Sequence, residues 1–187
     1  LDKTASLLDA YYSNTPAQYA TKNETPKSKW KNVKTTLKSL DTTKLHYIKV
    51  EPNHIVIDFD ITEDGHKSMS ANLAAASKWP ATYAEFSKSG NGVHLHYFYT
   101  GDVDRLSRVY DDEIEVKVFN GDAALRRKLT KCNDVKIASL NSGLPLKGEK
   151  MINPGTMKTE KSLRSLIKRN LNKEIHDATK PSIDFIH

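Results

Sequence analysis

The densest apolar run in the chain is His54-Ile-Val-Ile-Asp-Phe-Asp-Ile61. Its β-branched residues predict a strand over 54–61, preceded by a shorter one at 47–50. Residues 68–78 predict a helix, with Ser68 or Ser70 as N-cap and Pro80 closing it. Two strands at 82–87 and 93–99 then flank Gly90-Asn91-Gly92, a hairpin signal. Residues 113–119 alternate apolar and polar and predict a further strand. Upstream, Leu7, Leu8 and Tyr11 place a short helix at 2–12. The polar, proline-containing stretch 13–31 reads as loop, and 32–40 as a helix. Downstream, 123–129 reads as helical and 135–139 as a short strand. Residues 160–173 form an amphipathic helix, with Leu163, Leu166, Ile167 and Leu171 on one face, and a linker-like tail begins after Ala178. Strand, helix and hairpin in that order predict an α+β fold. It divides into an N-terminal helical and basic segment (1–45), a core (46–157) and a C-terminal helix with tail (158–187).

Composition narrows the class. The 187 residues are 37% hydrophobic and 28% charged, the profile of a globular domain. The formal net charge of +6 favours polyanionic partners or serves solubility alone. Residues 22–49 hold eight lysines against Glu24 and Asp41, a basic surface. The single cysteine, Cys132, allows no internal disulfide and no zinc cluster, which fits a reducing, cytoplasmic compartment. No apolar run is long enough to span a membrane, and no signal-peptide core is present, so neither membrane nor export is expected. The first residue is Leu1 rather than Met, so a piece of a longer protein is expected.

Three elements carry chemistry. In the strand 54–61, period two puts Asp58 and Asp60 on one face and Phe59 on the other. Two carboxylates so placed repel unless a cation lies between them, and Mg²⁺ or Mn²⁺ prefers such oxygen ligands. A pair of solvated acids at a strand end is the plain alternative. The second element, 87–96, combines Lys88, Ser89, Gly90 and Gly92 with His94 and His96. Its glycines let backbone N–H groups approach phosphate, or it is an ordinary hairpin with two surface histidines. The third, 113–119, places Glu113, Glu115 and Lys117 on one face, either as metal-binding acids or as the wet face of an edge strand.

Taken in this order, IVIDFD (55–60), SGNGVH (89–94) and IEV (114–116) resemble the three motifs of the archaeo-eukaryotic primase superfamily, the prim-pol type. ALRRKLTKCN (124–133) and SGLPLK (142–147) resemble primase domains of phage and mobile-element primase-helicases. The resemblance spans about residues 45–150. It implies an RRM-like catalytic core with a second small α/β subdomain, and DNA-templated nucleotidyl transfer: primer synthesis, with or without DNA extension. It also implies two Mg²⁺ or Mn²⁺ ions held by Asp58, Asp60 and Glu115, with Ser89 and His94 on the phosphates of the incoming nucleotide. Glu113 remains a rival third ligand, and His96 lies outside the motif. Lys88, Gly90, Gly92, Arg126, Arg127 and Lys147 are then expected around the nucleotide, with Lys128 a further basic candidate. A single-stranded DNA template, NTPs or dNTPs and a helicase domain in the full-length protein are the expected partners, in the host cytoplasm if the protein is phage-encoded.

Two other readings compete. A rolling-circle or relaxase-type endonuclease also uses a His-apolar-His strand, which His94-Leu95-His96 matches. Its tyrosine nucleophile would have to come from Tyr11, Tyr12 or Tyr19, because no tyrosine follows Tyr110. A non-catalytic single-strand-binding domain could use Tyr97, Tyr99 and the lysines, but would leave three acids on one sheet surface unexplained.

Overall fold

Ser6 opens the first helix by accepting a hydrogen bond from the Asp9 amide, 2.9 Å away. The computed structural model describes residues 6–148. The helix expected at 160–173 and the tail after it lie outside the described residues, as do residues 1–5. Helix α1 spans Leu7–Tyr11. Within the stretch read as loop, Ala17–Tyr19 forms strand β1. The helix expected at 32–40 is replaced by two short 3-10 turns, Trp30–Asn32 and Leu37–Ser39. Strands β2 (His46–Ile48) and β3 (His54–Phe59) follow, then a small hairpin of β4 (Thr62–Glu63) and β5 (His66–Lys67). Asp64 and Gly65 turn that hairpin with positive φ at both positions, as a two-residue turn with right-handed strand twist requires. Helix α2 (Met69–Ala76) starts on Ser68, whose Oγ accepts from the Ala71 amide at 3.1 Å. The remaining strands are β6 (Ala84–Phe86), β7 (Val93–Tyr99), β8 (Val109–Asp111), β9 (Ile114–Val118), β10 (Leu125–Arg127) and β11 (Ala138–Leu140).

The architecture is mixed α and β, with mostly antiparallel sheets and few helices, which agrees with the α+β expectation at that level. The large sheet runs β11-β7-β3-β9-β8, with β6 also paired to β7. Only β11 is parallel to its neighbour. A second sheet, β1-β2-β10, is antiparallel throughout, and its central Ile48 pairs with both Ala17 and Leu125. Residues 123–129, expected to be helical, are thus a strand region. Leu125, Arg127 and Leu129 are buried while Arg126 and Lys128 are exposed, the period of two that a paired strand imposes.

Every residue of β3 is buried, because both faces of the large sheet are covered. Ile55, Ile57 and Phe59 pack beneath α2 with Val93, Leu95, Tyr97 and Val116, and Trp79 meets Phe59 edge to face at 5.9 Å. Val56 faces the other way, into a second core with Ile48, Leu125, Leu8 and Tyr12. Alternation along β3 therefore sends Asp58 toward the same side as Val56, where the small sheet and α1 lie. The buried thiol of Cys132 packs in this second core.

Candidate functional site

The register of the large sheet assembles the site. Asp58 lies directly opposite His94 on β7 and directly opposite Glu115 on β9. Glu85 on β6 lies opposite His94 in turn. Directly opposed residues share a face, so one row across four strands reads Glu85, His94, Asp58, Glu115. Two acids side by side on neighbouring strands destabilise the pairing unless a cation intervenes. Here Lys117 supplies it, with Nζ 3.1 Å from Asp58 Oδ2. His94 Nε2 lies 3.2 Å from Asp58 Oδ1. That contact lacks hydrogen-bond alignment, so Oδ1 is one of two buried side-chain polar atoms among the described residues without a hydrogen-bond partner. Burial pushes the Asp58 carboxyl upward in pKa, but His94 and Lys117 outweigh it and lower it to about 2. Asp58 is therefore ionised at neutral pH.

Asp60 stands just past the end of β3. Its amide donates to the Glu113 carbonyl and its Oδ1 pairs with Lys67 at 3.1 Å. Asp60 and Glu115 line one groove, together with Glu113 and Arg108. The two rival third acids separate clearly. Glu113 Oε2 accepts from both the amide and the hydroxyl of Thr62, each at 2.7 Å, and so braces the strand end. Glu115 is exposed and beside Asp58. As placed, no three His, Cys, Asp or Glu side chains among the described residues converge into a group that could hold a metal ion.

The hairpin loop comes against this acid end. Gly90 adopts φ +83°, a conformation glycine tolerates best. A Cβ at Gly92 would stand 3.1 Å from Asp60 Oδ1, the Phe59 carbonyl and Ser87 Oγ, so glycine permits the close approach of loop and strand. Ser87 Oγ accepts from the Gly92 amide at 2.9 Å and contacts Ser89 Oγ at 3.2 Å, which leaves Ser89 at the exposed tip.

On the other side of Asp58, between the large and small sheets, a pocket of about 160 Å³ is lined by His94, His96, Lys88, Lys117, Arg126 and Lys128 among others. Its one lining carboxylate, Glu85, is neutralised by Arg127 at 2.7 Å. Lys88 and Arg126 both hold the exposed Glu24, at 2.5 and 2.9 Å. The pocket lining carries more positive than negative side chains even with these pairs formed, and Asp58 stands in the row between it and the acidic groove.

Two basic residues are placed otherwise than the sequence suggests. Arg127 does not face solvent: it is 4% exposed, and its guanidinium is committed to Glu85, to Asp9 at 2.5 Å and to Ser6 Oγ at 3.0 Å. Mutual charge stabilisation in a buried cluster holds it there, so it shapes the pocket wall rather than offering a free cation. Lys147 does not line the pocket; its amide donates to the Arg105 carbonyl at 2.7 Å, in the segment before β8.

A polar chain that sequence reasoning missed runs under the pocket. The Tyr12 hydroxyl meets His54 Nδ1 at 2.7 Å, and His54 Nε2 meets His96 Nδ1 at 2.8 Å. Burial, and then neighbouring positive groups, hold both imidazoles well below their usual pKa, so both are neutral. The only hint in the sequence is that His54, Asp58, His94 and His96 fall on one side of two neighbouring strands. His94 and His96 consequently do different things: His94 faces Asp58, while His96 is buried against His54.

No helix among the described residues is long and apolar enough to cross a membrane. No protein-family model matches the chain, and a search of curated proteins finds no significant match.

Proposed function

We propose that the chain is a metal-dependent, DNA-templated nucleotidyl transferase of prim-pol type, making primers and extending them on single-stranded DNA in phage or mobile-element replication. The observation that carries this reading is the row His94, Asp58, Glu115 across β7, β3 and β9, set between an acidic groove and a cationic pocket. A nucleoside triphosphate needs both environments at once: acids for its divalent cations and bases for its phosphates.

The donor chemistry suits Mg²⁺ or Mn²⁺, although as placed the three acids do not converge and the ions would have to draw them together. Asp58, Asp60 and Glu115 offer carboxylate oxygens, and the buried Asp58 Oδ1 makes no hydrogen bond, its contact with His94 being an ion pair alone. Lys117 and Lys67 pair with Asp58 and Asp60, the positions such cations would take over. Ions held by Asp58, Asp60 and Glu115 would supply charge stabilisation for nucleotidyl transfer. The chain's own residues do the rest. His94 stands beside Asp58 to contact phosphate, the Ser89 tip and Gly90-Gly92 backbone close over it, and Lys88, Lys117 and Arg126 neutralise its charge. The basic surface of 22–49 offers contacts to the template backbone.

This reading accounts for more than its rivals. The endonuclease reading needs His94 and His96 as a metal-binding pair and an accessible tyrosine, whereas His94 faces Asp58, His96 is buried against His54, and Tyr12 is buried on the same histidine. The binding-only reading has no use for acids beside a phosphate pocket. The test is primer synthesis on single-stranded templates with Mg²⁺ or Mn²⁺, comparing the chain with Asp58→Ala/Asp60→Ala. Metal-dependent product lost in the double variant supports the reading; no product from the unaltered chain under any template or metal overturns it.

A further inference from the structure

The Tyr12, His54 and His96 chain has a direction, and the direction can be deduced. The Tyr12 oxygen already accepts from the Glu51 amide at 3.4 Å. If it also accepted from His54 Nδ1, its own hydrogen would lack an acceptor in the core, a costly arrangement. Tyr12 therefore donates to His54 Nδ1. A neutral imidazole carries one N–H, so His54 donates from Nε2 to His96 Nδ1. His96 must then carry its proton on Nε2. That atom is buried, has no hydrogen-bond partner, and belongs to a side chain 1% exposed that lines the cationic pocket.

We propose that Tyr12, His54 and His96 form a directed hydrogen-bond relay that presents the His96 Nε2–H as a neutral donor to a phosphoryl oxygen of the ligand in the pocket. His96 is then a phosphate-contacting residue distinct from His94, and Tyr12 and His54 are positioning residues that act through it. The ligand is an oxyanion because Lys88, Lys117, Arg126 and Lys128 line the same space and outnumber Glu24 and Asp58, which pair with three of them, while the lining Glu85 is neutralised by Arg127. The relay rests on the reading of the pocket as a triphosphate site. A neutral donor suits that role, because the hydrogen-bond chain fixes which ring nitrogen carries the proton, where a free neutral histidine would divide it between the two.

The test uses the full 187-residue chain with ¹⁵N-labelled histidine and inorganic tripolyphosphate as the probe. Nitrogen shifts of His96 should report the Nε2–H tautomer, and Tyr12→Phe should convert it to a tautomer mixture. Tripolyphosphate should move the Nε2–H resonance. By calorimetry, His96→Phe should weaken tripolyphosphate binding by roughly tenfold, while His96→Gln, which keeps an amide donor, should retain most of it. An Nδ1–H tautomer at His96, or a resonance unmoved at saturating tripolyphosphate, overturns the relay, and these two measurements need no variant to fold. Tripolyphosphate binding as described without any primer synthesis sinks the polymerase reading and leaves the relay standing. Primer synthesis with His96 unmoved does the reverse.

Discussion

Asp58 and Glu115 are direct cross-strand partners on β3 and β9, whereas Glu113, two residues away on the same strand face, is bonded to Thr62. The two glutamates should therefore separate in function. Glu115→Gln should abolish metal-dependent nucleotide transfer while leaving the melting temperature nearly unchanged, since Glu115 is exposed. Glu113→Gln should keep activity and lower stability by about 1 kcal/mol, through weakened bonds to Thr62. Primer-extension rates alongside thermal melts distinguish them.

Asp58 should also leave a mark on acid stability. Its folded pKa, about 2, lies below the ordinary carboxyl value of 3.8. A depressed folded pKa contributes stability that is present above the unfolded value and lost as pH falls through the folded one. Asp58→Asn should therefore cost about 2 kcal/mol at pH 7, and the difference from the unaltered chain should shrink between about pH 4 and pH 2. Urea denaturation at several pH values gives both numbers.

Much of this geometry is legible in the chain. Strands β3, β7 and β9 follow from dense or alternating apolar runs, and Asp58 facing away from Phe59 follows from period two alone. The segment around β10 is the exception. Ala-Leu-Arg-Arg-Lys-Leu has helix-favouring residues, and only pairing with β2, nearly eighty positions earlier, makes it a strand. The one local clue is the L-x-R-x-L alternation of 125–129. A helical reading of that segment makes Arg127 an exposed cation, because nothing local tells a buried, paired arginine from a solvated one. The Tyr12, His54 and His96 chain is invisible for the same reason: its members come from three separate segments.

Arg127 allows its structural role to be separated from nucleotide contact. It and Glu85 are both almost completely buried. Arg127→Ala should destabilise the fold by roughly 3–5 kcal/mol by leaving Glu85 charged and unpaired. The double variant Arg127→Met/Glu85→Met should recover most of that loss. If Arg127 instead served mainly to hold nucleotide, the single variant would melt normally and lose affinity. Chemical denaturation decides.

Glu24 occupies Lys88 and Arg126 at the pocket mouth. Glu24→Ala should free both cations, so single-stranded DNA or nucleotide should bind several-fold more tightly. The salt dependence of DNA binding should steepen by roughly one in log–log slope. Because Glu24 is exposed, thermal stability should stay the same. Binding titrations at two or more salt concentrations would reveal an unchanged slope if these cations do not face the ligand.

Arg127 bonds to Asp9, 118 residues earlier, and to Glu85, 42 residues earlier. On a ribosome, a nascent chain that has not yet passed residue 120 already holds the acids of β3 and β9. It still lacks one wall of the cationic pocket and the only guanidinium seen on Glu85 among the described residues. Closing so long a loop is entropically slow. The residues of the acidic groove thus precede the last wall of the cationic pocket in order of synthesis, and the pocket can close only once the segment at 125–127 has been made.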